Sequence, residues 1–524
     1  MMRPRPLTDE VENPTMSSFG SLNLGARAIF AAQRGLDITG QNIANSATPG
    51  YSRQRVDQVA VGGPTVPAIW SKYDQTGGGV KVTGISRMRD EFLEARARVA
   101  HQNLGELDER TKTLEGIERT IGEPSDTGLK QRMAEFWQSW AAAGNDLKSE
   151  GPRRVVVEKG KAVADELNRQ ATTLEVQWTD TRTELAANVT DVNKAAGDIA
   201  TLNRAIRNNV INGLPANELA DQRDLLVEKV TTLTGGVAER AEDGVVNVKV
   251  GEVYLVNGRQ HRDLQALGAT DALSFRTTDP TAIDVQWGKL YDLTDEVAND
   301  PGVTSGSALP LGPKSTMAAQ TKALNETLPK YLEQLDDIAN TMATAVNEQN
   351  AKGWTIDGTE DGRLGPELFV SADATAPLAG ARGAVNLRFT GEAKDLGISA
   401  ATKTDATGAT VAVPPPLLAG GVPGVINGDN AKVMSAKMGV QGGADDKLRG
   451  MVVTLGVEAA SVYRNQKAAA NVAKTADDAR ESVSGVSLNE EMTNLMKYQH
   501  SFEAAAKFIT SVDATIESLL NMTR

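Results

Sequence analysis

The sequence predicts a mainly α fold with β-rich inserts: an elongated multidomain rod of long helices, with terminal helices pairing as a coiled coil and outer β-containing domains. Three observations lead there. Residues Leu22, Ala26, Ile29, Gln33, Leu36, Gly40 and Ile43 recur at alternating steps of four and three, as do Leu488, Met492, Leu495, Gln499, Phe502, Ala506, Ile509, Asp513, Ile516 and Leu520. That spacing lines one narrow helix face, the seam of a coiled coil. Aromatics are only 4% of the 524 residues, so helix packing must rest on Leu, Val, Ile, Met and Ala. Between the helices lie two stretches in which apolar residues alternate and Gly and Pro punctuate, the signature of short strands.

The length fits about three domains. A net charge of −13 argues against a nucleic-acid groove, which needs clustered Lys and Arg, and against adsorption to anionic lipid. With no cysteine, structural disulfides and Cys-ligated zinc are excluded. No apolar run approaches the roughly 20 residues of a membrane helix. The first fifteen residues carry Arg3 and Arg5 but no apolar stretch, unlike a secretory signal. Met16 followed by Ser17 and Ser18 reads as the better start, and 1–15 as a disordered extension.

Residues 17–45 read as one helix, stopped at Thr48-Pro49-Gly50-Tyr51, where Pro49 pushes Thr48 out of the helical region and Gly50 permits a tight turn. Residues 52–84 look extended and partly β. A helical stripe is expected at Ile85, Met88, Phe92, Ala95 and Val99, continuing through Leu107, Leu114, Ile117 and Ile121 to a break at Gly122-Glu123-Pro124. A short amphipathic helix carries Met133, Phe136, Trp137 and Trp140; the two tryptophans, on one face, read as core. A long helix from about Pro152 to Asn209 follows, since Pro is tolerated in a first turn, and another from about Ala216 to Thr234.

The period then changes to two. Val246, Val248 and Val250 alternate with polar residues, Val253 and Leu255 resume the pattern, and Asn257-Gly258 is a strong hairpin turn. Ile283, Val285 and Trp287 alternate likewise, and 298–313 reads as a linker. Helix returns over about 316–349 with Leu324, Leu328, Tyr331, Leu335, Ile338, Met342 and Ala345 in 4-3 spacing. A strand is expected at Val385, Leu387 and Phe389, and helices from Gly428 to the end, interrupted near Gly439–Gly443 and Ser484-Gly485.

This order implies a nested organisation. Residues 16–51 and 485–524 form a terminal coiled-coil domain, 52–240, 315–350 and 425–484 a central helical rod, and 241–314 and 351–424 outer β-rich domains at the far end. Gln33, Gln499 and Asp513 lie in the terminal seams, where a polar residue either fixes register or faces solvent at the seam edge.

Nothing in the sequence assembles a catalytic or metal site. Asp357-Gly358-Thr359-Glu360-Asp361-Gly362 starts like a calcium loop, but Leu368 stands where a bidentate Glu is required. Gly312-Pro313-Lys314-Ser315 precedes a helix, yet Pro313 removes an N–H that a phosphate cradle would use. His101, His261 and His500 are far apart in sequence and form no zinc spacing. No cofactor is expected, and no enzymatic role.

The stretch from Leu36 to Gln54, with Asn42-Ile43-Ala44-Asn45 and Thr48-Pro49-Gly50-Tyr51 at its centre, resembles the rod–hook family of axial flagellar proteins. At the other end Ser484-Gly485-Val486-Ser487-Leu488-Asn489-Glu490-Glu491, then Asn494-Leu495 and Tyr498-Gln499, resembles the hook–filament junction members of that family. So do Asp221-Gln222-Arg223-Asp224-Leu225-Leu226, and Leu335-Asp336 followed by Ala339, Val346-Asn347 and Gly353. Asn489 departs from the family's usual Asp, and the β inserts match weakly. The motif residues are Asn42, Asn45, Pro49, Gly50, Tyr51, Gly485, Glu490 and Glu491.

The resemblance implies a structural component of the bacterial flagellum that forms the junction between hook and filament and the platform for filament assembly. Alternatives are a hook or flagellin-type axial protein, or an enzyme carried on an axial scaffold. It implies an extracellular location reached by flagellar type III export without a cleaved signal peptide, and self-association in a ring. The implied partners are the hook protein, the second hook–filament junction protein and an export chaperone at the C-terminal helix; neither nucleic acid nor membrane is among them. The residues expected at the assembly interface are Leu22, Ile29, Gln33, Leu36, Ile43, Leu488, Met492, Leu495, Gln499, Phe502, Ile509, Ile516 and Leu520. A 4-3 helix cannot bury its seam alone, so assembly would supply partner helices.

Overall fold

The computed structural model describes residues 18–61, 78–147, 149–272, 282–293, 295–296, 306–355, 364–371, 387–400, 402–404, 410–412 and 427–522. The 1–15 extension, Val385 and the loop Asp357–Gly362 lie outside them. Helix α1 (Ser18–Ala44) leads into a hairpin of β1 (Gln54–Ala60) and β2 (Val80–Arg87). Helices α2 (Glu91–Ile121), α3 (Leu129–Asn145), α4 (Glu150–Ile211) and α5 (Asn217–Thr234) follow. At about 1.5 Å per residue, α4 is about 90 Å long and forms the spine of the rod.

Local chemistry fixes the helix ends. Asp90 Oδ1 accepts from Phe92 N at 2.8 Å and Leu93 N at 3.1 Å, starting α2, and Gly122 at φ 62° ends it. This start corrects the expected stripe. Ile85 belongs to β2, and Phe92 and Val99 are 73% and 58% exposed. The buried face is instead Ala97 and Ala100, whose small side chains let α2 close on Ala473 and Ala476. The hydrophobic stripe misled because the large apolar residues there face outward.

A six-stranded antiparallel meander follows α5: β3 (Val237–Arg240), β4 (Val246–Val250), β5 (Val253–Asn257), β6 (Gln260–Leu267), β7 (Asp284–Asp292) and β8 (Asp295–Glu296). Alternation puts Val248, Val250, Leu255, Val285 and Trp287 inside, and Gly258 at φ 62° makes the expected hairpin turn. Of the expected linker, the described part pairs with β7: Trp287 N donates to Ser307 O and Leu309 N to Val285 O. Leu309 is buried there. The sheet packs on α4 through β5 and β6, with Arg182, Asn193 and Asn203 bonding its backbone. It therefore flanks the half of the rod nearest α5, not the far end as the nested reading had it.

Helix α6 (Thr316–Lys322), a π-helical turn at Ala323–Thr327 and α7 (Leu328–Asn350) form one continuous rod element. The strands β9 (Gly353–Trp354), β10 (Phe369–Ser371) and β11 (Leu387–Phe389) lie beyond it. Phe369 and Phe389 stack edge-on at 4.9 Å and enclose Phe136 with Trp137 and Trp140, so the two tryptophans are core. Short strands at Ser399–Ala400, Thr402–Thr404 and Thr410–Ala412 precede α8 (Asp429–Ser435), α9 (Ala444–Ser484) and α10 (Leu488–Met522). Helix α9 returns along α2 and α7, as Gln466 meets Asp108 and Lys447 meets Asp337. One connected apolar core runs from Leu107 through the sheet and α7 to Ala469.

Candidate functional site

The two ends of the chain meet as an antiparallel helix pair. Gly25 faces Ile509, Gly35 faces Tyr498, and Asn42 bonds Glu491. A Cβ on Gly25 would lie 2.5 Å from Ile509 Cγ1, and one on Gly35 would enter the Tyr498 ring. Small residues thus set the contact: Gly25, Ala31, Ala32 and Gly35 are buried on α1 and Ala505 on α10, and Tyr498 sits against Gly35. A Cβ-free helix face lets the axes approach closely.

This contact corrects the predicted seam. Gln33, Leu488, Met492, Gln499, Asp513 and Leu520 are exposed, Phe502 is 37% exposed, and Leu22, Ile29, Leu36, Ile43, Leu495, Ile509 and Ile516 are half-buried. A helix turns about 100° per residue. Measured from the contact line at Gly35, Leu22, Ile29, Leu36 and Ile43 lie about 80–140° round α1. Measured from Tyr498, Leu488, Met492, Leu495 and Gln499 lie about 60–120° round α10 in the same sense. In an antiparallel pair, equal rotation falls on the same side. The first half of the α10 stripe therefore lies beside the α1 stripe on one outer side of the pair, while Phe502, Ile509 and Ile516, about 0–40° from Tyr498, turn into the contact, where Ile509 meets Gly25. Gln33, Gln499 and Asp513 set no register within the chain.

Where the pair meets the rod, a polar joint forms. Asn42, 1% exposed, accepts from Gln54 N at 2.9 Å and from Tyr51 Oη at 2.9 Å, and donates to Gln54 O at 2.9 Å and Glu491 Oε2 at 3.1 Å. Arg53 bridges the carboxylates of Glu491 at 2.7 Å and Glu490 at 2.6 Å. Ser52 donates twice to Asp221, through N at 3.1 Å and Oγ at 2.8 Å. Arg87 reaches both Asp221 and Asp224, and Arg89 pairs with Asp224. Burial works to raise the Asp224 carboxyl, but Arg223, Arg89 and Arg87 overcome it and hold it below the usual range. Burial, then Asp221, Glu218 and Glu491, push the Tyr51 hydroxyl up to about 12, so it stays a donor to Asn42.

The motif residues gather here. Asn45 Nδ2 donates to Gln41 O at 3.1 Å, closing α1. Gly50 sits at φ 76°, and a Cβ on it would lie 2.5 Å from Leu225 Cγ. A Cβ on Gly485 would strike Glu481 O. Pro49 and Gly50 line a cleft of about 710 Å³ against α5 and the end of α9. Sequence reasoning assigned no role to Arg53, Arg87, Arg89, Asp221 or Asp224. The available signal was Asp221 and Asp224 three apart on one helix face, with arginines in the strand that must pass it.

His101 bonds Asp477 at 3.0 Å, His261 stacks on Tyr291, and His500 is exposed. Among the described residues, no group of three or more His, Cys, Asp or Glu could hold a metal ion, and no helix is long and apolar enough to cross a membrane. Ser315 caps α6, its Oγ accepting from Ala318 N at 3.3 Å.

Long paired helices, termini brought together and an apolar face left across them define an axial structural protein, one built to be added to others of its kind. The profile of the flagellar hook-associated protein FlgK helical domain matches residues 114–369, and that of the flagellar basal body rod FlgEFG protein C-terminal region matches 479–522. Flagellar hook-associated protein 1 of Bacillus subtilis (strain 168) is 28% identical over 96% of this chain and 98% of its own. The protein of that name from Escherichia coli (strain K12) is 23% identical over 96% and 99%. The flagellar hook junction protein FlgK from Burkholderia pseudomallei shares the fold, with a TM-score of 0.57 at 15% identity, covering 75% of this chain and all of that one. Along almost its whole length the chain is thus similar to flagellar hook-associated protein 1.

Proposed function

We propose that this chain forms the junction between hook and filament and provides the platform on which the filament assembles. The observation that carries the reading is the apolar outer face shared by α1 and α10, in a chain similar to flagellar hook-associated protein 1. Leu488 and Met492, each 51% exposed, stand one helical turn apart on α10, and Leu36 and Ile43 are half-buried on α1. Such a face calls for further helices, and terminal helices of neighbouring copies, closing as a ring, supply them. Hook protein would lie on one side of that ring and the second junction protein on the other. Before assembly the exposed α10 residues suit a helix-binding chaperone. The protein acts outside the cell, exported through the flagellar channel without a cleaved signal, and its role is structural, not enzymatic.

Deletion in the source bacterium, followed by electron microscopy, tests this. Hooks without filaments, with flagellin shed into the medium, are expected. Complementation with Met492→Glu or Leu495→Asp should give folded protein that fails to restore filaments. Normal filaments in the deletion strain would sink the reading.

A further inference from the structure

The terminal unit of α1, β1, β2 and α10 touches the rod without sharing its core. Among the described residues, no side chain of 18–61, 80–87 or 488–522 belongs to either buried apolar cluster of the rod. Covalently the unit crosses to the rod only at 88–90 and 485–487. Apart from the Gly50 turn resting on Leu225, its other attachments are polar. Ser52, Arg87 and Arg89 converge on Asp221 and Asp224, and Gln54 Nε2 donates to Glu218 at 3.1 Å. These contacts lie along one edge, on the first turns of α5. The same joint borders a cleft of about 710 Å³, lined by Ser52, Arg89 and Asp224 at the joint and by the Pro49–Gly50 turn, α5 and the end of α9 around it. Leu225, beneath Gly50, is still 42% exposed.

We infer that the terminal unit rocks on the rod, pivoting on Asp221 and Asp224, with the cleft as the space into which it moves. Close-packed apolar interfaces resist such motion because displacement opens voids. Here rotation about the carboxylate edge uncovers no shared apolar core. The angle is set by a charge network, and charge networks weaken when a partner is removed or salt is raised. The motion belongs to the single chain and does not depend on the junction role proposed above.

The absence of cysteine makes the test clean. Ser46→Cys and Lys229→Cys, on opposite walls of the cleft, are spin-labelled in the full monomeric chain and their separation read by pulsed EPR. Gln33→Cys with Gln499→Cys, both exposed on the terminal unit, serves as the internal control. Asp224→Asn or Arg89→Gln should broaden the cleft distribution about twofold. Raising salt from about 0.1 M to about 1 M should act in the same direction but more weakly, since these pairs are mostly buried and buried pairs are screened less. The control pair should stay fixed. If circular dichroism shows that Asp224→Asn disturbs α5, Ser52→Ala, which removes a hydrogen bond and no charge, gives the same reading. One narrow distribution shared by wild type, variants and high salt would overturn the pivot. So would broadening of the control pair, since the helix pair would then be parting instead of rocking.

Discussion

Asn42 treats Gln54 as a strand partner: its amide donates to Gln54 O and accepts from Gln54 N, both at 2.9 Å. The same exchange recurs at several other places where a helix meets extended chain. Asn168 pairs in this way with Leu387, Asn193 with Leu264, Asn203 with Val246, and Asn325 with Ile283. Asn347 bonds the N and O of Phe369 likewise. A side-chain amide carries the donor and acceptor of a peptide group, so each asparagine satisfies extended backbone that would otherwise present unpaired groups to a helix. Long helices and β segments are sewn together by this device as well as by apolar contact.

Asn42→Ala should therefore loosen the joint out of proportion to its size. It strips partners from Gln54 N and O and from the Tyr51 hydroxyl, and one from Glu491. Each buried polar group left unpaired costs about 1–3 kcal/mol. We expect hydrogen exchange in α1 and the start of α10 to accelerate at least tenfold while the amides of α4 keep their protection. Unchanged exchange at Gln54 would contradict the role given to Asn42.

The terminal contact makes a second prediction. Gly35→Ala places a Cβ in the Tyr498 ring, and overpacking of this kind costs about 1–3 kcal/mol. Tyr498→Ala alone removes contact area. The double variant should recover part of the loss, and a double-mutant cycle on the unfolding of the terminal pair measures the coupling. Strict additivity would mean that the two residues do not meet.

Much of the fold was legible because its signals are periodic. Leu328, Tyr331, Leu335, Ile338 and Met342 mark the buried face of α7 by spacing alone, and Val248 with Val250 does so for β4. Where packing rests on small residues the same logic fails. Gly25, Ala31 and Gly35 carry no hydrophobic signal, so the eye follows Leu22, Ile29 and Leu36, one outer face away. The joint was half legible: the motif from Asn42 to Tyr51 located it, but its partners Asp221 and Asp224 lie on another helix, and sequence spacing cannot bring them there.

Within the rod, Trp178 should prove costly to replace. It is 1% exposed, and its indole donates to Leu324 O at 2.9 Å. That carbonyl lies in the π turn, where Leu328 N bonds Ala323 O. In the same register the donor to Leu324 O would be residue 329, a proline with no N–H. Trp178→Phe keeps most of the packing but leaves the carbonyl unpaired. A loss of about 1–3 kcal/mol in denaturant unfolding is expected, and a variant as stable as wild type would remove the indole from this account.

Glu109 gives the rod a pH dependence. The residue is 7% exposed on α2. Burial raises its carboxyl from 4.5 to about 7, with Lys112 pulling it down and Glu184 pushing it up. In the unfolded chain the carboxyl gives up its proton near 4.5, whereas in the folded chain it keeps it until about 7. The folded state thus binds more protons through that window, so stability falls as pH rises across it and stays reduced above it. At about 1.4 kcal/mol per unit, the reduction is about 3 kcal/mol. Glu109→Gln removes the titration and keeps the shape. Its melting temperature should match wild type near pH 4.5, exceed it at pH 8, and close the gap progressively between. Parallel melting profiles for the two proteins from pH 4.5 to 8 would show that Glu109 is ionised throughout.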